Sequence, residues 1–339
     1  MEIKREHVKY VLDCVSGGLA MGQRDTREGA SYFVFKAGKV ITFNDEVYCS
    51  MPLDLGFEGA VKGEQLLNIV GRMKDETLKI KVEGDMVKIS CGRRRAGFQL
   101  DGDVGSALEE LEPVTEWIEC DTLAPASIGD CCGCAVGKSS DKFYKTCVHL
   151  SPHYIEATDC QQFMRVWMKT PVKESTLVKA YTVRNVEGLD IAEWGCNNDW
   201  IGFKTSDDLE YYARIYRDEY PTQAMDSLAQ APEEGDAFTP PQGFVGAVDS
   251  AKIFSNELDD PKVKVIIKED GKMMIEGMGR TGFFQEVLDC AYQGSRMEFF
   301  SSPKVLKQFA EAYTDGKISE RALTVYEEGK FIYLSSIER

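Results

Sequence analysis

The segment from Val61 to Leu100, VKGEQLLNIVGRMKDETLKIKVEGDMVKISCGRRRAGFQL, changes its hydrophobic period partway along, and this change constrains the fold more than any other feature. Leu66, Leu67, Val70 and Met73 recur at helical spacing, with Lys62, Arg72 and Lys74 near the two ends. Asp75 and Glu76 break that pattern, and Leu78, Ile80 and Val82 then alternate with Lys79 and Lys81, as in a strand with one buried face. Glu83-Gly84-Asp85 turns the chain, Met86, Val87 and Ile89 return it, and Gly92 separates a third strand over Gly97-Phe98-Gln99-Leu100. One amphipathic helix followed by an antiparallel meander predicts half of a small α+β domain.

The same order recurs near the other end. Ser301-Ser302-Pro303 opens a helix with proline at a tolerated early position, and Val305, Leu306, Phe309 and Tyr313 form its apolar stripe. Leu323, Val325 and Tyr326 make a strand, Glu327-Glu328-Gly329 turns, and Phe331-Ile332-Tyr333-Leu334 returns. The repetition is one of structure rather than of identity.

Between these units the pattern predicts a first helix over residues 3–15, with Val8, Val11, Leu12 and Val15 inward, ended by Ser16-Gly17-Gly18. Three strands follow, at Tyr32–Phe35, Val40–Phe43 and Val47–Met51. An acidic stretch over 101–118 containing Pro113 suits a connection between domains. A second domain opens with a helix near Pro125–Val136 and carries strands at 146–150, 153–157, 163–168, 189–194, 200–204 and 209–216, with a short helix over Val178–Val186. Residues 223–241, rich in Ala, Pro, Gly and acids, read as a linker. A third domain begins with a helix near Gln242–Asn256 and adds strands at 262–268, 272–278, 283–290 and 295–300. The expectation is an α+β protein of three similar domains, each of antiparallel sheet plus helices: 1–118, 119–222 and, after the linker, 242–339. Each part has the size of a small domain, about 100 residues.

With 56 acids against 40 bases the net charge is -16, which argues against coating nucleic acid with the whole outer surface but allows bases gathered on one concave face. No apolar run approaches the roughly 18 residues of a membrane span, and the N-terminal Met-Glu-Ile-Lys-Arg-Glu-His has no signal-peptide core. A cytoplasmic protein with no membrane partner is expected. The 11 cysteines form no paired framework and read as small hydrophobes in a reducing compartment.

Several chemistries are approached without being completed. Gly133-Cys-Ala-Val-Gly137-Lys138-Ser139 has three spacers where a phosphate-binding loop needs four; a nucleotide-binding enzyme centred on it is the alternative reading. Cys131, Cys132 and Cys134, with Cys147, His149, His153 or Cys160 downstream, lack the matched pairs of a zinc site, so no metal is expected. Three histidines sit in no nucleophilic frame, so neither a catalytic residue, a cofactor nor an enzyme is expected. Arg93-Arg94-Arg95, the densest basic run, reads as a solvated hairpin end.

Placed in order, several stretches resemble the bacterial sliding clamp family, the beta subunit of DNA polymerase III. They are Arg5-Glu6-His7 with the helix ending Val15-Ser16-Gly17-Gly18-Leu19, the run Val82–Leu100, Thr122-Leu123 before a Pro-initiated helix, Ala157-Thr158-Asp159, and Ile253-Phe254-Ser255-Asn256-Glu257. The resemblance implies a DNA clamp fold that closes as a head-to-tail homodimer, a ring holding double-stranded DNA without regard to sequence. Roughly twelve helices about 10 Å apart would give a circle some 38 Å across, wide enough for a duplex and water. It implies a processivity factor that tethers a DNA polymerase and meets a clamp loader; a decoy of another clamp's partners would share the fold.

The DNA-facing candidates are Lys4, Arg5, Lys9, Arg24, Lys62, Arg72, Lys74, Lys179, Arg184, Lys252, Lys304 and Lys307. The dimer interface implied pairs Phe98 and Leu100 of one copy with Ile253 and Phe254 of the other. The implied cleft for partner peptides uses Thr158, Phe163, Pro221, Met225, Ile332 and Leu334, with Ser335 and Ser336 beside them. The chain departs from the family here: Cys160-Gln161-Gln162 stands for Gly-His-Arg, Tyr220-Pro221-Thr222 for Phe-Pro-Asp-Tyr, and the end Leu334-Ser335-Ser336-Ile337 for a Met-Pro-Met-Arg type tail.

Overall fold

A computed structural model describes residues 1–20, 29–102, 112, 114–136, 140–230, 235–258 and 260–338. The first part of the chain runs β1 (Glu2–Lys4), α1 (Arg5–Val15), β2 (Tyr32–Lys36), β3 (Lys39–Phe43), β4 (Val47–Pro52), β5 (Gly59–Lys62), α2 (Gly63–Arg72), β6 (Thr77–Glu83), β7 (Met86–Cys91) and β8 (Arg94–Gln99). Next come β9 (Trp117–Glu119), α3 (Ala124–Gly133), β10 (Cys147–Ser151), β11 (Tyr154–Thr158), β12 (Gln162–Trp167), β13 (Thr176–Lys179), α4 (Ala180–Val183), β14 (Ile191–Cys196), β15 (Trp200–Thr205) and β16 (Glu210–Tyr216). The remainder is α5 (Thr222–Ala229), β17 (Asp236–Phe238), α6 (Phe244–Ser255), β18 (Val263–Ile267), β19 (Lys272–Met278), β20 (Phe283–Asp289), β21 (Met297–Ser301), α7 (Pro303–Ala312), β22 (Gly316–Ile318), β23 (Ala322–Glu327) and β24 (Phe331–Ser336).

Two compact units result. The first comprises Met1–Gly133, Thr146–Pro152 and Lys169–Asp218; the second comprises Cys134–Lys145, His153–Met168 and Glu219–Arg339. In the first, a small antiparallel sheet runs β1-β6-β7-β8 and a larger one runs β10-β13-β16-β4-β3-β2-β5, with β15, β14 and β9 branching from β16. In the second, β17-β22-β23-β24-β12-β11 form one antiparallel run and β20-β19-β18-β21 the other.

Helices α1, α2 and α7 bury most of the stripe their sequences predict, Leu67 of α2 being half-buried. Val8, Val11, Leu12 and Val15 of α1, Leu66 and Val70 of α2, and Val305, Leu306 and Phe309 of α7 are all buried. In the second unit α6 lies so close on β19 that a Cβ at Gly277 would run into the Ala251 carbonyl. Only glycine permits that approach.

Several expectations are corrected. Residues 3–15 do not start as helix: Glu2–Lys4 pair with β6, Met1 donates its amine to the Ile80 carbonyl at 2.7 Å, and the helix begins at Arg5. The helix expected over Val178–Val186 is the end of β13, a single turn of α4 and a 3-10 turn over Arg184–Gly188. Leu177 and Val178 favour a pleated surface and pair with both β10 and β16. The supposed linker 223–241 contains α5 and β17, because Met225 finds apolar partners and β17 finds an edge on β22. The strand expected over Gly97–Leu100 runs Arg94–Gln99 as β8, with Arg93, Arg94 and Arg95 exposed at the end of the β7–β8 hairpin as expected, while Leu100 lies just beyond it and donates its amide to the Asp85 carbonyl at 2.7 Å.

Candidate partner cleft, edge strands and helix-borne bases

Three strands of the second unit make the floor of the cleft. Their registers set Thr158 opposite Phe163, Phe163 opposite Leu334, and Glu156 opposite Arg165, which is in turn opposite Ile332. Because side chains alternate along a strand, Phe163, Arg165 and Trp167 share one face of β12. Helix α5 lies on that face: Met225 packs with Phe163 and Ile332, ringed by Trp167, Tyr220, Leu228 and Ala229. Pro221 is the residue before α5, and its carbonyl accepts from the Met225 amide at 3.1 Å.

Phe163, Met225 and Ile332 thus come together but are buried already, whereas Leu334, Trp167, Tyr220 and Pro221 are partly open. Thr158 is also buried; its hydroxyl donates to the Gln162 carbonyl at 2.6 Å and accepts from the Cys160 amide at 3.0 Å, closing the β11–β12 turn. Cys160 occupies the left-handed region at φ 73, is exposed, and lies 3.5 Å from the Tyr144 hydroxyl.

Sequence reading missed the charge in this floor. Arg165 Nε donates to Glu156 Oε2 at 2.6 Å, and its Nη2 donates to Asp226 Oδ1 at 2.7 Å. The guanidinium also stacks 4.0 Å from the Tyr154 ring centre. The Arg165 side chain is 6% exposed and that of Glu156 fully buried, whereas the Asp226 side chain is 45% exposed. Burial opposes the charge on Arg165, but Glu156 and Asp226 outweigh it and the group's affinity for its proton is raised.

The proposed DNA-facing bases fall into two groups. Lys4, Arg72, Lys74, Arg184, Lys252 and Lys304 are exposed and make no ion pair among the described residues. The others are engaged at home. Arg5 pairs with Glu6, Lys9 with Asp13 at 2.6 Å, and Lys179 with Glu46 at 2.6 Å. Lys307 meets Asp249 at 2.9 Å and Glu311 at 3.8 Å. Lys62 donates to the Ser31 hydroxyl at 3.0 Å and lies 4.1 Å from the Tyr32 ring centre.

Arg24 lies outside the described residues. Lys252, Lys304 and Lys307 line one cavity of about 460 Å³ between α6 and α7, together with Asp249 and Glu311. Helix α3 carries no base; its one charged residue, Asp130, has its carboxyl pushed up by burial and by the neighbouring Glu187.

Among the strands that end their sheets are β8 and β20. β8 pairs only with β7, and β20 only with β19. Phe98 is 6% exposed, so most of its surface is used within its own unit, and Leu100 is half-buried. Phe98, Ala96, Ile69 and Arg72 line a groove of about 460 Å³ between β8 and α2. Ile253 is 69% exposed, and half-buried Phe254 packs towards the turn at Gly282.

Exposed Phe283 and Val287 on β20 were missed, although Phe283-Phe284-Gln285-Glu286-Val287-Leu288 puts apolar groups on both faces, a mark of a strand awaiting cover. Of the degenerate phosphate loop, Gly133 closes α3 and Gly137–Ser139 lie outside the described residues. Among the described residues no His, Cys, Asp and Glu cluster of metal-binding size occurs, and no helix is long and apolar enough to cross a membrane.

Neither models of protein families nor curated proteins match the sequence. Solved structures do. The beta chain of DNA polymerase III from Streptococcus pneumoniae superposes with a TM-score of 0.78 at 17% identity, over 100% of this chain and 99% of that one. This chain has the sliding-clamp fold. A beta subunit from Thermotoga maritima gives 0.78 at 15% identity, over 100% and 98% of the two chains. A clamp from Pseudomonas aeruginosa, bound to griselimycin, gives 0.77 at 14%, over 100% and 99%. The clamp fold therefore runs through the whole chain, with its antiparallel sheets and helices, at an identity low enough to account for the departures around Cys160 and Tyr220.

Proposed function

We propose that this chain is a DNA sliding clamp, a processivity factor without chemistry of its own. Two copies close head to tail into a ring around duplex DNA, and each holds a DNA polymerase or a clamp loader at the floor of β11, β12 and β24. The observation that carries this reading is the likeness to clamp structures over the full length of both chains. On the proposed reading the chain comprises three similar domains, 1–118, 119–222 and 242–339, with a connector that contains most of α5.

The DNA-facing set is led by the exposed bases Lys4, Arg72, Lys74, Arg184, Lys252 and Lys304. An acidic body keeps DNA off the outer surface, and unpaired bases hold it loosely where it threads the ring. Between copies, β8 lies along β20, and Ile253 of one copy enters the groove of Ile69 and Phe98 on the other. The exposed arginines Arg93, Arg94 and Arg95 and the acid Glu286 of β20 carry opposite charge, which favours that encounter.

Sedimentation at micromolar concentration with negative-stain imaging tests the proposal. A particle of twice 38.0 kDa with a central hole is expected. A stable single chain with no hole overturns it.

A further inference from the structure

The cleft floor is occupied by the chain's own Met225, and the helix that carries it is weakly held. α5 has eight residues and Met225 is its one buried residue. A helix this short does not persist on its own propensity. Besides the apolar contacts of Met225 and the half-buried Leu228 and Ala229, one polar tie holds it to the floor: Asp226, which receives Nη2 of Arg165. Arg165 is in turn fixed by Glu156 and by the Tyr154 ring, so it forms a rigid post in the sheet and Asp226 a catch on the helix.

We propose that α5 is a lid on the partner cleft, that Met225 holds the place of a partner's apolar side chain, and that Arg165 is the positioning residue that latches the lid through Asp226. A partner segment bearing an apolar anchor then enters by displacing Met225 from Phe163 and Ile332. The biological use of the lid rests on the reading of this floor as the partner site; the latch itself does not.

The latch can be tested in the intact protein with no partner. Asp226→Asn strips the catch of its charge, leaving a neutral amide oxygen that holds Arg165 more weakly, and keeps the buried Arg165–Glu156 pair, so the sheet retains its charge balance. Hydrogen exchange at the amides of 222–230 is expected to quicken about tenfold in Asp226→Asn, while the amides of β11, β12 and β24 keep the parent rate. Asp226→Glu restores most of the protection. The dye 8-anilinonaphthalene-1-sulfonate, used as an apolar probe, should bind more tightly to Asp226→Asn, and Trp167 emission should shift to the red as its cover lifts.

Unchanged exchange in α5 overturns the latch, as does quickening spread equally through the strands, which marks ordinary loss of stability. Should ring assembly fail while the α5 exchange behaves as stated, the clamp reading falls and the latch stands.

Discussion

Ile253→Ala separates interface from fold more cleanly than any other change in this chain. The side chain is 69% exposed on α6, so its removal takes little from the unit that carries it. Fully burying an isoleucine contributes about 1.5 to 3 kcal/mol, and with two-thirds of it available the share left for a partner is about 1 to 2 kcal/mol. A head-to-tail pair has two equal interfaces, so dimerisation weakens by about 2 to 4 kcal/mol, or roughly 30- to 700-fold in Kd.

Sedimentation equilibrium over nanomolar to micromolar protein measures this, beside thermal melts of both proteins taken under dissociating conditions. The single chain should melt within about 0.5 kcal/mol of the parent. Phe98→Ala is the contrast: at 6% exposure its ring belongs to the interior, and its loss should cost the fold itself about 3 to 5 kcal/mol. A Kd for Ile253→Ala within threefold of the parent, with melting unchanged, would refute the docking of Ile253 into the Ile69–Phe98 groove.

Cys160→Gly should stabilise the chain by about 1 kcal/mol in denaturant titrations, because glycine relieves a side chain held at φ 73. In the double variant Lys252→Ala/Lys304→Ala, the slope of log affinity against log salt for a duplex should flatten by up to about 3.6, two lysines being lost from each of two copies, read by fluorescence anisotropy. Lys179→Ala should leave that slope alone and lower the melting temperature, since its charge is committed to Glu46. The carboxyl of Asp130 is raised by burial and Glu187, so the fold favours its protonated form and that contribution is lost as pH rises through the folded value. Asp130→Asn should therefore melt above the parent at pH 7, with the difference gone at pH 3.

The long helices and most hairpins were legible because one stripe or one face of each is buried and a glycine marks the turn, as at Gly84 and Gly329. β1, β5, β9 and β22 were not, being three or four residues long and defined by partners elsewhere in the chain. α5 was hidden by a composition of alanine, proline and acid that suits a connector equally well, and its apolar partners lie on β12 and β24. Arg165 was invisible for a related reason. In Phe163-Met164-Arg165-Val166-Trp167 a charged residue suggests an outward face, and only the cross-strand register reveals Glu156 waiting opposite. The bases on the helices were found by position, but whether each was free or spoken for depended on acids such as Glu46 and Asp249, which no local pattern connects to Lys179 and Lys307.

If two copies close as proposed, the margin of β20, which has one partner among the described strands, would make dilution hazardous. A strand with Phe283 and Val287 in water and one flank of backbone N–H and C=O groups unmated will accept any extended segment offered to it. Storage well above the self-association constant should accordingly keep preparations clear, and thinning them should bring on turbidity, the reverse of what concentration does to most proteins.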